Sequence, residues 1–367
     1  MTPDPGLASW LRLSLTPGLG AATVRSLLKQ FGLPQAVLAR RDAELRPTVG
    51  QAALEAMRSP RVDEAVERAL VWARADDHHV LTLADDTYPR GLLEIGDPPP
   101  LLYALGRLDL LQAPGLAIVG SRNASAQGAR NAEQFALALG EAGLTIVSGL
   151  ALGIDAAAHR GGLASRASTI AVVGTGIDVV YPARNAELAA EIARRGLLLS
   201  EFPLGTAAIA HNFPRRNRLI SGLARGCLVV EAALESGSLI TARCAADQGR
   251  EVFAIPGSIH SPLSKGCHAL IKSGAKLVES GEDVLAELAG FRASGFANAS
   301  SATTNNAPDT GVLAVMGHDP VDVDSLCARA GMSAEQVASE LLRLELDGRV
   351  TALPGGLYQR LEKAQRG

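Results

Sequence analysis

Aromatic residues make up only 4% of this 367-residue sequence, which excludes a long groove of rings stacked on successive bases. Cysteine is equally thin. Cys227, Cys244, Cys267 and Cys327 stand far apart, with no C-x-x-C pair and no histidine at metal-ligand spacing. They read as reduced, mostly buried thiols rather than a zinc site or a disulfide frame. No apolar run is long enough to cross a bilayer, and MTPDPGLASW lacks the basic start and apolar centre of a secretion signal. A cytoplasmic protein without a membrane partner is the expectation. G-x-S-x-G, H-E-x-x-H and the P-loop are also missing, so no common hydrolase, zinc-protease or nucleotidase signature is present.

The formal net charge is -3, so any affinity for a polyanion must come from a local patch rather than the whole surface. Such a patch exists. The stretch HNFPRRNRLISGLARG, residues 211–226, carries Arg215, Arg216, Arg218 and Arg225 without one carboxylate.

Residues 1–78 read as a helical domain, with apolar spacing in ATVRSLLKQF and VDEAVERALVWA and turn signals in TPGLG and RSP. The turn Pro17–Gly20 precedes a helix. It either offers backbone N–H groups to phosphate, as helix-hairpin-helix modules do, or simply reverses the chain.

Residues 79–290 change pattern. LAIV, LTIVS, TIAVV, LLLS, CLVVE, EVFAI and AKLV alternate with helical segments, and continuous apolar strands of this kind imply a parallel sheet covered on both faces. The fold class is α/β, a doubly wound Rossmann-like sheet. Residues 291–310 are poor in charge and in large apolar groups and read as a flexible linker. Residues 311–367 show two helices around Gly331, a capping box at Ser333 and Gln336, and a hairpin at Pro354–Gly356, which suggests a winged helix. Six Lys/Arg against eight Asp/Glu favour protein contact over DNA reading by that unit.

Ligands of doubly wound sheets gather at the carboxyl ends of the strands. The exits here are rich in glycine: Gly120, Ser121 and Arg122 in one, Gly149 and Gly153 in the next, Gly174 and Gly176 in the third. None completes G-x-G-x-x-G, and Arg122 stands where close backbone approach to pyrophosphate would need glycine. A dinucleotide is disfavoured, and no other cofactor or metal is implied. Arg122 beside a helix N-terminus suits a phosphate instead.

Pro214 fits a helical first turn, which places Arg215, Arg216 and Arg218 near its positive end. Phe213 offers a stacking surface and Asn217 a base-edge partner. With no acids nearby in sequence, a nucleic-acid role outweighs a salt-bridged basic face. In VVEAALESGSLITA, Ser238 or Thr241 can present donors to an anion. Glu231 reads as a buried carboxylate orienting the arginines more readily than as a catalytic acid. Asp155 and His159, four apart, read as a helix cap and a packed imidazole rather than a catalytic dyad.

In order along the chain, YPRGLLEIGDPPPLLYALG (88–106), IVGSR (118–122), SGLALGIDAAAH (148–159), GTGIDVVYPARN (174–185), SEFPLG (200–205), FPRRNRLISGLA (213–224), VVEAALESGSLITA (229–242), IPGS (255–258) and KGCHALIKSGA (265–275) strongly resemble the DprA/Smf family of DNA-processing proteins. The resemblance implies an extended Rossmann domain, a sterile-alpha-motif-like helical domain before it and a winged helix after it. It implies a homodimer that binds single-stranded DNA and loads the RecA recombinase onto incoming strands coated by single-strand binding protein during natural transformation. Arg122, Arg215, Arg216 and Arg218 would contact phosphates, with Phe213 and Asn217 shaping the pocket. Gly120, Ser121, Gly149, Gly153, Arg184, Asn185, Ser236, Gly237, Ser238, Thr241 and Lys265 would complete the binding loops, with Glu231 and Asp155 in support. Many members have a lysine or arginine directly after the Tyr-Pro of the third exit, where this chain has Ala183 followed by Arg184. One rival is a phosphoribohydrolase-like enzyme using Arg122, the SGS loop and Glu231, although its P-G-G-x-G-T-x-x-E loop is absent. Another is a protein scaffold whose arginine patch docks an acidic partner.

Overall fold

The computed structural model describes residues 5–288 and 311–361, so the expected linker at 291–310 lies outside the described residues. Six helices come first: α1 (Pro5–Leu15), α2 (Ala21–Phe31), α3 (Pro34–Leu38), α4 (Asp42–Val49), α5 (Gln51–Met57) and α6 (Pro60–Trp72). The α/β region follows with β1 (His78–Thr82), α7 (Arg90–Leu93), β2 (Leu101–Gly106), β3 (Gly115–Val119), α8 (Ala126–Glu141), β4 (Thr145–Ser148), α9 (Ile154–Ala164), β5 (Thr169–Val172), α10 (Ala186–Arg195) and β6 (Leu197–Ser200). It continues with α11 (Asn212–Gly222), β7 (Gly226–Val229), α12 (Ser238–Asp247), β8 (Glu251–Ala254), α13 (Lys265–Lys272), β9 (Lys276–Leu277) and α14 (Gly281–Glu287). The tail holds α15 (Val312–Val315), β10 (Val321–Asp322), α16 (Val323–Ala330), α17 (Ala334–Leu346), β11 (Val350–Leu353) and β12 (Leu357–Arg360).

The nine-stranded sheet has the order β1-β2-β6-β5-β4-β3-β7-β8-β9. The chain winds outward from β3 through β4 and β5 to β6, returns to place β7 against the other side of β3, and continues to β9. All these neighbours pair in parallel. The expected purely parallel sheet gains an antiparallel side, because β2 runs against both β6 and β1. His78 and His79 break the apolar alternation there, which hid β1 from pattern reading.

Successive residues of β3 feed opposite faces. Leu116 and Ile118 pack with α8, α9 and α14, while Ala117 and Val119 pack with α11 and α12. Cys227 and Cys267 belong to the second of these layers, and burial pushes both thiols up to about 12, so they stay protonated.

The N-terminal helices enclose a core of their own around Leu13, Val24, Leu27 and Leu45. They are not sealed off from the sheet. Trp10 and Leu11 of α1, and Val62, Val66 and Leu70 of α6, bury against Leu101, Tyr103, Ala171 and Leu198. The winged-helix unit closes its core around Leu326, Val337 and Leu341 and meets α8 where Arg130 donates to the Gly348 carbonyl at 3.3 Å. Helix α17 has the expected capping box and exposes Leu342 and Leu346.

Close contact between α8 and α9 depends on Gly161, where an added Cβ would lie 2.1 Å from the Glu133 carbonyl oxygen. Gly161→Ala is therefore expected to cost about 1–3 kcal/mol by overpacking, read as a lower urea midpoint. Gly237→Ala, where an added Cβ meets nothing within 4 Å, is the control that leaves the midpoint in place.

Candidate nucleic-acid interface

The return of the chain from β6 to β7 makes the space between the carboxyl ends of β3 and β7 the topological switch point of the sheet. A cavity of about 420 Å³ opens there, walled by the loop after β3, the loop after β7 and the start of α11. Ser121 is fixed from both sides: its N–H donates to the Glu231 carbonyl at 2.7 Å, and its own carbonyl accepts from Ile154 at 3.1 Å. That anchor sets Arg122 at the rim. The Arg122 guanidinium stands 5.9 Å from the centre of the Phe213 ring and has no carboxylate partner among the described residues.

Arg216 is a different kind of arginine. Only 4% exposed, it donates to the Gly149 carbonyl at 2.8 Å and to the Val172 carbonyl, and meets the Asn217 side-chain oxygen at 3.3 Å. Burial brings its pKa down to about 10, with Asp155 opposing and Arg122 reinforcing the shift, so it stays charged at neutral pH. Gly149 has to be glycine: a Cβ would lie 2.6 Å from the Arg216 guanidinium and 2.8 Å from the Asp155 carboxylate. Gly153, at φ +74, lets α9 start directly against the Ser121 carbonyl.

Asp155 caps the β4–α9 loop by accepting from the backbone of Gly149 at 3.1 Å and Ala151 at 3.4 Å, while burial pushes its carboxyl upward. His159 is the packed imidazole expected. Its Nε2 accepts from the Leu150 N–H at 3.2 Å, and its Nδ1 meets Thr169 Oγ1 at 2.8 Å. Thr169 gives its own proton to the Ile146 carbonyl, so Nδ1 carries the hydrogen and the ring is neutral.

Two of the arginines expected at phosphates are engaged elsewhere. Glu201, its side chain 2% exposed, binds Arg218 through both oxygens at 2.7 and 2.8 Å and Arg215 at 3.1 Å. Asp97 adds a second partner for Arg218 at 3.3 Å. The absence of acids near these arginines holds in sequence and fails in space, because the end of β6 and the loop before β2 deliver them. Arg225 precedes β7 at the far end of α11 and takes no part.

Glu231 does not orient the arginines either. Its carboxylate accepts from the Ser125 hydroxyl at 2.5 Å and the Ser125 N–H at 2.9 Å, and lies under Gly128, pinning the start of α8. Ser236, Gly237, Ser238 and Thr241 line the cavity, with the two serine hydroxyls 2.7 Å apart at the start of α12. Asn185 supports rather than lines: it donates to the Leu150 and Ala151 carbonyls. Arg184 is exposed in the neighbouring turn outside the cavity wall, and Lys265 donates to the Ile259 carbonyl away from it. Residues passed over in sequence also appear. Asn123 and Glu235 line the cavity, and Tyr181, half exposed, packs 5.4 Å from Phe213 as a second ring. Tyr181 sits in the Tyr-Pro of the third exit, so its position was visible while its pairing with Phe213 was not.

The family model described as DNA recombination-mediator protein A matches residues 79–289, more than half of the chain. The chain belongs to the DprA/Smf family. A second family model, the DprA winged helix domain, matches residues 297–356. Protein Smf of Escherichia coli is 42% identical over 366 residues, spanning 97% of this chain and 96% of that protein. The solved structure of DprA from Streptococcus pneumoniae aligns with a TM-score of 0.67 and 42% identity over 76% of this chain and 95% of its own. The DprA of Helicobacter pylori, described with a single-stranded DNA binding mode, aligns with a TM-score of 0.51 and 31% identity over 56% of this chain and 94% of its own. Among the described residues no helix is long and apolar enough to cross a membrane, and no group of His, Cys, Asp and Glu is placed to hold a metal.

His159 supplies a test of this packing. Burial drops its pKa from 6.5 to about 3, so below pH 6.5 the unfolded chain takes up a proton that the native chain refuses, and stability falls on acidification. The stability of the natural protein relative to His159→Gln is expected to drop by about 1.4 kcal/mol per pH unit between about pH 6 and 4.5. Asp155 titrates in both proteins and cancels from this difference. Urea titrations across that range check it, and a constant difference would mean that the imidazole reaches water.

Proposed function

We propose that this protein binds single-stranded DNA at the switch-point cavity, without sequence readout and without catalysis. The observation that carries this reading is Arg122, a guanidinium with no carboxylate partner among the described residues, over the Phe213 ring at the mouth of a cavity also lined by the charged Arg216. Charge beside a flat ring suits a strand that exposes phosphates and bases together. The Helicobacter pylori relative, described as a single-stranded DNA binder, supports it. Arg122, Arg216, Phe213 and Asn217 form the contact surface, with Gly120, Ser121, Ser236, Gly237, Ser238 and Thr241 supplying backbone and hydroxyl donors. Asp155, Gly149, Gly153, Asn185 and Glu231 hold the loops in place. Arg215, Arg218, Arg184 and Lys265 stand outside this surface.

Recombinase loading onto the bound strand, exchange with single-strand binding protein, homodimer formation, a role in natural transformation and a cytoplasmic location belong to the same proposal. The description of the family as recombination mediators supports the loading step. The phosphoribohydrolase reading needs Glu231 as an acid facing the ligand, and that carboxylate is occupied by Ser125. Free base released from nucleoside monophosphates would revive it.

Fluorescence anisotropy with labelled oligothymidine tests the proposal. Arg122→Ala is expected to weaken binding by about 1–2 kcal/mol with the melting temperature unchanged, the range of a charge-assisted contact. Arg216→Ala is expected to lose stability as well as affinity, since it leaves the Gly149 and Val172 carbonyls without a donor. Equal binding of oligothymidine by Arg122→Ala and the natural protein would remove the cavity from the binding surface.

A further inference from the structure

We propose that the turn between α1 and α2, together with Arg215, forms a second phosphate site for the strand held beside Arg122, an inference that rests on the single-strand reading above. A separate cavity of about 150 Å³ lies between the helical unit and the antiparallel side of the sheet. Ser14, Gly20, Ala21, Tyr103, Glu201 and Arg215 are among the residues that line it.

Three observations give it an anion's chemistry. Helix α2 starts after Gly20 in extended backbone (φ -74, ψ 163) with no side-chain cap, so the N–H groups of its first turn keep their positive partial charge. Tyr103 is 1% exposed, yet its hydroxyl has no hydrogen-bond partner, and the buried Ser14 hydroxyl also has none. Buried hydroxyls normally find partners, and an oxyanion in this cavity would supply both. The third observation is charge. Arg25, Arg215 and Arg218 pair with Asp97 and Glu201, three guanidinium groups against two carboxylates, while the Asp178 carboxylate, which also acts on Tyr103, is engaged by the Gly205 N–H. The acceptors of Glu201 are taken by its two arginines, so donors remain and a phosphate fits better than a base edge.

Helix α11 joins this cavity to the first. Phe213, Pro214, Arg216 and Asn217 line the switch-point cavity, while Arg215 turns about 100° around the helix and lines the other. One strand crossing the start of α11 would touch both. The engagement of Arg215 with Glu201 then places its half-exposed side chain at the second cavity rather than withdrawing it from the strand.

Gly20→Asp in the full chain tests the site. An added Cβ at Gly20 meets nothing within 4 Å, and aspartate is a favoured N-cap, so the melting temperature is expected to hold or rise. Its carboxylate would occupy the N–H donors and repel phosphate. Anisotropy is read with oligothymidine of about six nucleotides, enough for the first cavity, and about twenty, enough for both. The longer oligomer is expected to bind about ten-fold more weakly with a salt slope smaller by about 0.7, while the shorter is unaffected. Tyr103→Phe, which removes only the unpartnered hydroxyl, is expected to weaken the longer oligomer about three-fold without loss of stability. Inorganic phosphate supplies the other arm. If it raises the melting temperature of the natural protein but not of Gly20→Asp, while the longer oligomer binds both equally, the site takes a free anion and the strand assignment falls. Equal weakening of both oligomers, or of neither, also overturns it. A natural protein that binds neither oligomer overturns the single-strand reading itself.

Discussion

The arrangement depends on one buried cation. The Arg216 guanidinium reaches beneath the ends of β4 and β5 and is held by the carbonyl of Gly149, just after β4, and that of Val172, the last residue of β5. A charge so deeply buried is expensive unless every donor finds an acceptor. The carbonyls of Gly149 and Val172 and the Asn217 side-chain oxygen take part of its donors, the nearby Asp155 charge offsets the rest of the cost, and together they fix where α11 starts. The start of α11 then sets Phe213, and Phe213 sets the surface under Arg122. The geometry of the rim thus follows from electrostatics in the interior.

The arginines of one short stretch divide their labour because helical geometry turns each to a different side. Arg216 enters the sheet, Arg218 and Arg215 reach back to Glu201, and Arg225 lies beyond the helix. Glu201 and Asp97 tie α11 to the end of β6 and to the loop before β2. Through Arg25 the same network continues into the helical unit. Most of the local cations are thereby compensated, and Arg122 is left at the rim without a carboxylate partner among the described residues.

Much of this was legible in the sequence. The strands from β3 to β8 are short, largely apolar runs, the first three with glycine exits, a pattern that points to a doubly wound sheet, and the winged helix announced itself through its capping box and hairpin. Arg122, Phe213 and the Ser236–Thr241 loop were identifiable from residue chemistry and strand position. Glu201 was not, because it lies fourteen residues before Arg215 and its role is fixed by tertiary folding alone. Glu231 is legible as a supporting carboxylate, but its partner is Ser125 rather than an arginine. Nothing local distinguishes a carboxylate that pins a helix start from one that steadies a guanidinium.

Gly149 shows how such a site would look to genetics. It touches no ligand surface, yet it fills the gap between a guanidinium and a carboxylate where even a methyl group has no room. On the proposed single-strand reading, a random mutagenesis screen scored on DNA retention would rank it beside Arg122. A footprint drawn from that ranking would extend inward from the true one, and only a parallel measurement of folding would separate residues that hold the strand from residues that hold the holder.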